Sequence, residues 1–217
     1  MGLLDRIVSR RGEAESPAVG AAAGGEAVFS TKALRKFLAV LTSREAPVLL
    51  DLGAVVGSNV SFFGEHLGCK IFVENLYADL ERHVRNQTLD AFPEFLKTRF
   101  GEESSAVDGI LCWDIVDYLD RRSALALTEQ LVRLLRPEGA LLGFFGTAPA
   151  REMFYTKYVV VDEVNLKHRL YPAACSRQSI LPNRDIIRLF SSLRVSESFL
   201  LQNHLREFLF RKPAWGG

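Results

Sequence analysis

The sequence predicts a three-layer α/β sandwich whose sheet is mostly parallel and closes with an antiparallel hairpin. Three observations predict it. Short apolar runs of strand type at 48–52, 70–74, 108–114 and 140–145 alternate with stretches of helical spacing. Runs of that kind belong to strands buried on both faces of a parallel sheet, and strands alternating with helices stack into three layers. Two further strand-like runs, 195–201 and 206–211, are joined by Gln202-Asn203-His204-Leu205, a hairpin connection. The length of 217 residues suits one domain with a substantial core.

Taken in order, residues 1–29 read as a flexible leader and 30–217 as the folded domain. Residues 1–11 carry Leu3, Leu4, Ile7 and Val8 on one side, as a frayed end or as a surface- or partner-binding helix. Residues 12–26 are rich in Ala, Gly, Glu and Ser and hold no aromatic, too little apolar surface to offset the entropy of ordering. Order is expected from Thr31, with Ala33, Leu34, Phe37, Leu38 and Leu41 at helical spacing behind a Ser30 or Thr31 cap. The first core strand follows Pro47 and ends at Gly53. A helix over 58–67 carries Val60, Phe62, Phe63 and Leu67, and after the strand at 70–74 a second helix spans 77–85.

Residues 89–105 hold Phe92, Phe95, Leu96 and Phe100 around Pro93 without clean periodicity, and a third strand is expected there. The helix at 121–135 stops at Arg136-Pro137-Glu138-Gly139. Residues 147–179 break the alternation with Phe154, Tyr155, Tyr158, Tyr171, Lys157, Lys167, His168 and Arg169, the mark of an inserted ribbon or lid. Helical spacing returns over 183–193 through Ile186, Ile187, Leu189 and Phe190.

Composition narrows the classes of function. Lys and Arg number 27 against 26 Asp and Glu, a net charge of +1 that gives no general signal for nucleic acid. Three scattered cysteines make neither a disulfide framework nor a zinc site and suit a reducing compartment. No run approaches the roughly 20 apolar residues of a spanning helix, and no signal-peptide pattern opens the chain. A soluble, cytoplasmic protein without a metal site is expected.

The chemical signal is the loop Asp51-Leu52-Gly53-Ala54-Val55-Val56-Gly57-Ser58-Asn59, between a strand and a helix. In an open α/β sheet, loops at the carboxyl ends of strands bind ligands. Gly53 permits a tight turn, Gly57 a close approach, and the N–H groups of the helix start suit a carboxylate or phosphate. Glu74 ends the next strand, at a spacing from Asp51 that suits an acceptor for ribose hydroxyls. A nicotinamide dinucleotide is disfavoured, because Val55 or Val56 stands where its fingerprint needs a glycine and Asp51 repels a pyrophosphate. The same carboxylate attracts an ammonium group. S-adenosyl-L-methionine has an ammonium, a ribose and an adenine and no phosphate, and the residues fit it better.

Residues 48–57 resemble the first motif of class I S-adenosylmethionine-dependent methyltransferases. Residues 70–74 resemble their second motif, 108–119 the fourth-strand motif, and 134–142 the Leu-x-Pro-Gly-Gly turn before the fifth strand. Their order and spacing match that family over about residues 31–212. The resemblance implies a Rossmann-like seven-stranded sheet of order 3-2-1-4-5-7-6 with strand 7 antiparallel. It implies methyl transfer to an acceptor, a small molecule rather than a macromolecule. It sets Asp51, Gly53, Ala54 and Gly57, with Asn59 closing the loop, around the methionine part. Glu74 would hold the ribose and Asn75 or Leu76 the adenine edge, with Cys112, Trp113 and Asp114 on the other side. Val55 stands where the family usually has glycine, so a methyltransferase-like binding domain without catalysis is the alternative, and an NAD-dependent oxidoreductase a further one.

Asp114 is the first candidate for substrate contact; its other reading is a cap for the turn at 115–119. His168 is the candidate base in the ribbon; its other reading is an exposed loop histidine. Asp117 reads as a surface residue and Tyr118 as a packing one.

Overall fold

The computed structural model describes residues 27–101, 104–148, 153–178, 180–201 and 203–214. The leader expected over 1–29 lies outside the described residues up to 26. Its last three residues belong to a strand, β1 (Ala27–Ser30), paired antiparallel with β7 (Asn165–Pro172). The next element is α1 (Leu34–Thr42), which buries Leu34, Phe37, Leu38, Val40 and Leu41. Of the two caps the sequence offers, Thr31 is used: its hydroxyl oxygen accepts the Leu34 N–H at 3.2 Å. The same hydroxyl donates to Glu207, a fully buried carboxylate that also accepts the Lys32 N–H at 2.8 Å.

The central sheet has the order β3-β2-β4-β5-β9-β8. Its parallel part consists of β2 (Val48–Asp51), β3 (Lys70–Val73), β4 (Val107–Trp113) and β5 (Leu135–Gly146). The hairpin of β8 (Arg194–Leu200) and β9 (Leu205–Arg211) adds to it, β9 running antiparallel to β5. All seven residues of β4 are buried, as its uninterrupted apolar run requires. Between the strands lie α2 (Gly57–Ser61), prolonged by a wide π turn over Phe62–His66, then α3 (Leu76–Arg85), α4 (Phe92–Arg99), α5 (Arg121–Leu134) and α6 (Asn183–Leu189).

The sheet therefore has six strands, and the seven implied by the resemblance are corrected. Order and direction match 2-1-4-5-7-6; the outer third strand is absent among the described residues. In its place stands α4, with Pro93 in its first turn, where its missing N–H leaves no bond unmade. Phe92, Leu96 and Phe100, four apart, all face the core.

The inserted ribbon is an antiparallel pair, β6 (Phe154–Val160) and β7, which with β1 makes a second, three-stranded sheet. One face of the central sheet is packed by α3, α4, α5 and α6. The other is packed by α1, the π turn and, through Tyr158, Val160 and Leu166, the ribbon. Gly109 of β4 lets α1 approach, since a Cβ there would lie 2.7 Å from Leu41 and 2.9 Å from Phe37. Gly109→Ala is expected to destabilise by about 1–3 kcal/mol, as overpacked cores do, read as a lower urea midpoint at unchanged slope.

Candidate functional site

The carboxyl ends of β2 and β4 meet in one small cavity of about 30 Å³, lined by Leu52, Gly53, Ala54, Tyr77, Cys112, Trp113, Asp114 and Ile115. The ribbon residues Tyr155, Thr156, Lys157 and Tyr158 close it. The chain leaving β2 is tied into place from both sides. Leu52 donates to the Leu111 carbonyl (3.0 Å), Glu74 to that of Asp51 (2.8 Å) and Leu76 to that of Leu52 (3.0 Å).

Asp51 is buried here, and its Oδ1 accepts the Gly53 N–H at 2.8 Å and the Trp113 indole N–H at 2.6 Å. Burial pushes its carboxyl up to about 6 despite both hydrogen bonds, which hold it down. Trp113 sits at φ 49, a left-handed conformation rare for so bulky a residue. Its indole covers Gly53, where a Cβ would be 2.8 Å from the ring. Gly53 thus makes room for Trp113. Tyr158 stacks on that indole at 5.0 Å and 3°, and Phe144 lies beside both.

The ribbon is fastened over the cavity at several points. Asn59 donates to the Tyr158 carbonyl and accepts the Val160 N–H, both at 2.8 Å, as a neighbouring strand would. Tyr155 stacks on Tyr77 at 4.1 Å, and the Tyr118 hydroxyl donates to the Phe154 carbonyl at 2.8 Å. Arg177 donates to Asp114 at 2.8 Å and approaches Asp117 at 3.7 Å. Asp117 is 1% exposed, which corrects its reading as a surface residue; it accepts the Gly146 N–H at 2.7 Å. Burial raises both carboxyls, Asp117 to about 7. Burial, and next the Asp114 carboxylate, push the Tyr158 hydroxyl well above its ordinary value.

Of the residues the sequence singled out, Gly53, Ala54, Cys112, Trp113 and Asp114 line this cavity, and Asp51 is bonded to two of them. The others stand apart. Asn59 holds β6, as above. Glu74 faces Arg99, which donates to its Oε2 at 2.5 Å and to its carbonyl at 3.2 Å. Asn75, at φ 31, caps α3 by accepting the Ala78 N–H, and Leu76 is buried in the core. Gly57 opens α2, and a Cβ there would meet nothing within 4 Å. His168 is no exposed loop histidine: on β7 it packs against Phe29 at 4.6 Å and edge-on to Tyr158 at 4.8 Å. Burial lowers its pKa to about 4, so the ring is neutral at pH 7. Val55 is 63% exposed and does not fill the loop. Tyr77, Tyr155, Tyr158, Arg99 and Arg177 were not singled out for this site. Tyr155, Tyr158 and Arg177 had a signal in the charged, aromatic ribbon, and Tyr77 and Arg99 had none.

No protein-family model and no curated protein matches the sequence. Among solved structures, an S-adenosylmethionine-dependent methyltransferase from Mesorhizobium loti is similar with a TM-score of 0.51 and 13% identity, over 83% of this chain and 96% of that one. This is the fold of the class I methyltransferases. Also similar is the 1,6-didemethyltoxoflavin-N1-methyltransferase of Burkholderia thailandensis, solved with bound 1,6-didemethyltoxoflavin and S-adenosylhomocysteine. It has a TM-score of 0.49 and 15% identity, over 83% of this chain and 78% of that one. The PH0226 protein of Pyrococcus horikoshii has a TM-score of 0.48 and 12% identity, over 84% and 92%. At such identities the likeness is one of fold, and function has to be argued from the site. No described helix is long and apolar enough to cross a membrane.

Proposed function

We propose that this chain binds S-adenosylmethionine at the carboxyl ends of β2 and β4, with the ribbon lifted, and transfers its methyl group to a small-molecule acceptor. The observation that carries the reading is the buried Asp51 carboxylate, held at the strand end where this fold takes its ligands. The residues fit the amino-acid end of the cofactor. Asp51 offers an anion to its ammonium, and the open space at Gly57 leaves room for its carboxylate. The cavity does not fit the nucleoside while the ribbon is down. At about 30 Å³ it holds a water or two, whereas ligand sites of that class measure roughly 300–1,000 Å³.

Bound, the cofactor supplies an electrophilic methyl on a sulfonium, and the protein's share is orientation. Asp114 is the proposed acceptor contact, once Arg177 leaves it. His168, neutral and packed between rings, is given no proton to move.

A second reading, a binding domain without catalysis, is favoured by one specific observation. Trp113 already occupies the Asp51 carboxylate and lies under Tyr158. Activity with a radiolabelled methyl donor separates the two readings, and calorimetric titration tests the cofactor site, with S-adenosylmethionine and S-adenosylhomocysteine as ligands and NADH as control. Under the first reading both sulfur ligands bind and NADH does not. Tyr155→Ala, which removes the stack on Tyr77, tightens them several-fold by raising the open fraction. Gly57→Ala, which meets no protein atom, weakens them about tenfold, or 1.4 kcal/mol. Failure of both ligands to bind the wild type and Tyr155→Ala sinks the first reading.

A further inference from the structure

We propose that the gap between α5 and α6 is a separate binding site for a small amphipathic anion, an apolar body carrying one carboxylate or phosphate head. A cavity of about 320 Å³ lies there, within the size range of ligand sites. It shares no lining residue with the cavity beside Asp51. Its floor is made of Val116, Leu119 and Ala124, all buried, and Leu181 and Leu189 form a wall from the α6 side. Leu125 on α5 lines it as well and is 43% exposed. An apolar surface of this kind left facing a gap loses dispersion contacts and stays hydrated, so an apolar body is favoured there.

The charge at the rim selects the head group. Arg121 and Arg188 both line the cavity, and neither has an ion-pair partner among the described residues. The one acid in the lining, Asp185, lies 3.5 Å from Arg184, outside the cavity. Arg121 is also the first residue of a 14-residue helix whose first turn contains no acid. A cation there opposes the helix dipole, and the Asp120 carboxylate at the N-cap, which accepts the Ser123 N–H at 2.7 Å, offsets it. An anion placed between Arg121 and Arg188 meets two guanidinium groups.

Calorimetry on the full chain with octanoate, octyl phosphate, octanol and octylamine tests this. Octanoate and octyl phosphate are expected to bind saturably, at least tenfold tighter than octylamine, the tighter of the two naming the head. The double variant Arg121→Ala/Arg188→Ala changes only exposed side chains. It should weaken both anions at least tenfold while leaving octanol within twofold. Octylamine binding as tightly as octanoate, anion binding indifferent to the double variant, or no saturable anion binding would each overturn the proposal. None of these outcomes depends on whether S-adenosylmethionine binds.

Discussion

Arg99→Met is expected to destabilise the protein by about 3–5 kcal/mol, the usual result of removing one partner from a buried ion pair. Arg99 is 6% exposed in its side chain, and it holds two carboxylates that are each 10% exposed. Its Nε donates to Asp79 at 2.8 Å and its Nη1 to Glu74 at 2.5 Å. Methionine fills much of the same volume but leaves Glu74 desolvated and without its arginine, and leaves Asp79 with Arg82 alone, at 2.6 Å. Urea unfolding measures the loss, and a midpoint unchanged at unchanged slope would mean that the pair contributes nothing to stability. A loss of that size lowers Tm by roughly 10 °C in a chain of this length.

The same residue explains why the site departs from its sequence reading. Arg99 comes from α4, the helix standing where a third strand was expected. One local replacement thus removes the outer strand and brings a cation against Glu74, the acid expected at the ribose. The helix was not read from the sequence, where a strand was expected: Phe92, Leu96 and Phe100 do repeat every four residues, but Pro93 fits a helix only in its first turn. The inner strands were legible because each is an apolar run bounded by turn residues. The cofactor-type loop was legible because it is contiguous.

The contacts that close the site were not. Trp113 reaches Asp51 across 62 positions and Arg177 reaches Asp114 across 63, separations at which no local pattern couples two residues. The bulk of Val55 is visible in the sequence, but only the fold shows that it points to solvent. The ribbon was legible as an aromatic insertion at 147–179. Its position over the cavity depends on Asn59 acting as a strand edge, which residue type does not announce.

As pH falls from about 7 towards 4, protonation of Asp117 should stabilise the folded chain, against His168, whose lowered pKa acts the other way, and Asp117→Asn should remove that stabilising contribution. Burial lifts the Asp117 carboxyl from 3.8 to about 7, and the neighbouring Asp114 adds to the lift. The Gly146 N–H, Arg177 and Arg206 pull the other way without cancelling it. Asp51, raised to about 6, acts in the same direction. Between pH 4 and 7 the folded chain then carries protons that the unfolded chain has released. Their contribution to the unfolding free energy falls as pH rises through that window, the reverse of a salt-bridged carboxylate. At about 1.4 kcal/mol per pKa unit, Asp117 alone is worth at most roughly 4 kcal/mol. Asparagine keeps an oxygen for the Gly146 N–H and never ionises, so the variant should be the more stable protein at pH 8 and its equal at pH 4. Denaturant midpoints across that range decide it. A wild-type curve that falls with acid as steeply as the variant's would mean that Arg177 keeps Asp117 ionised. In that case the charge joining the segment after β7 to the end of β4 would be permanent, not one that a proton releases near neutral pH.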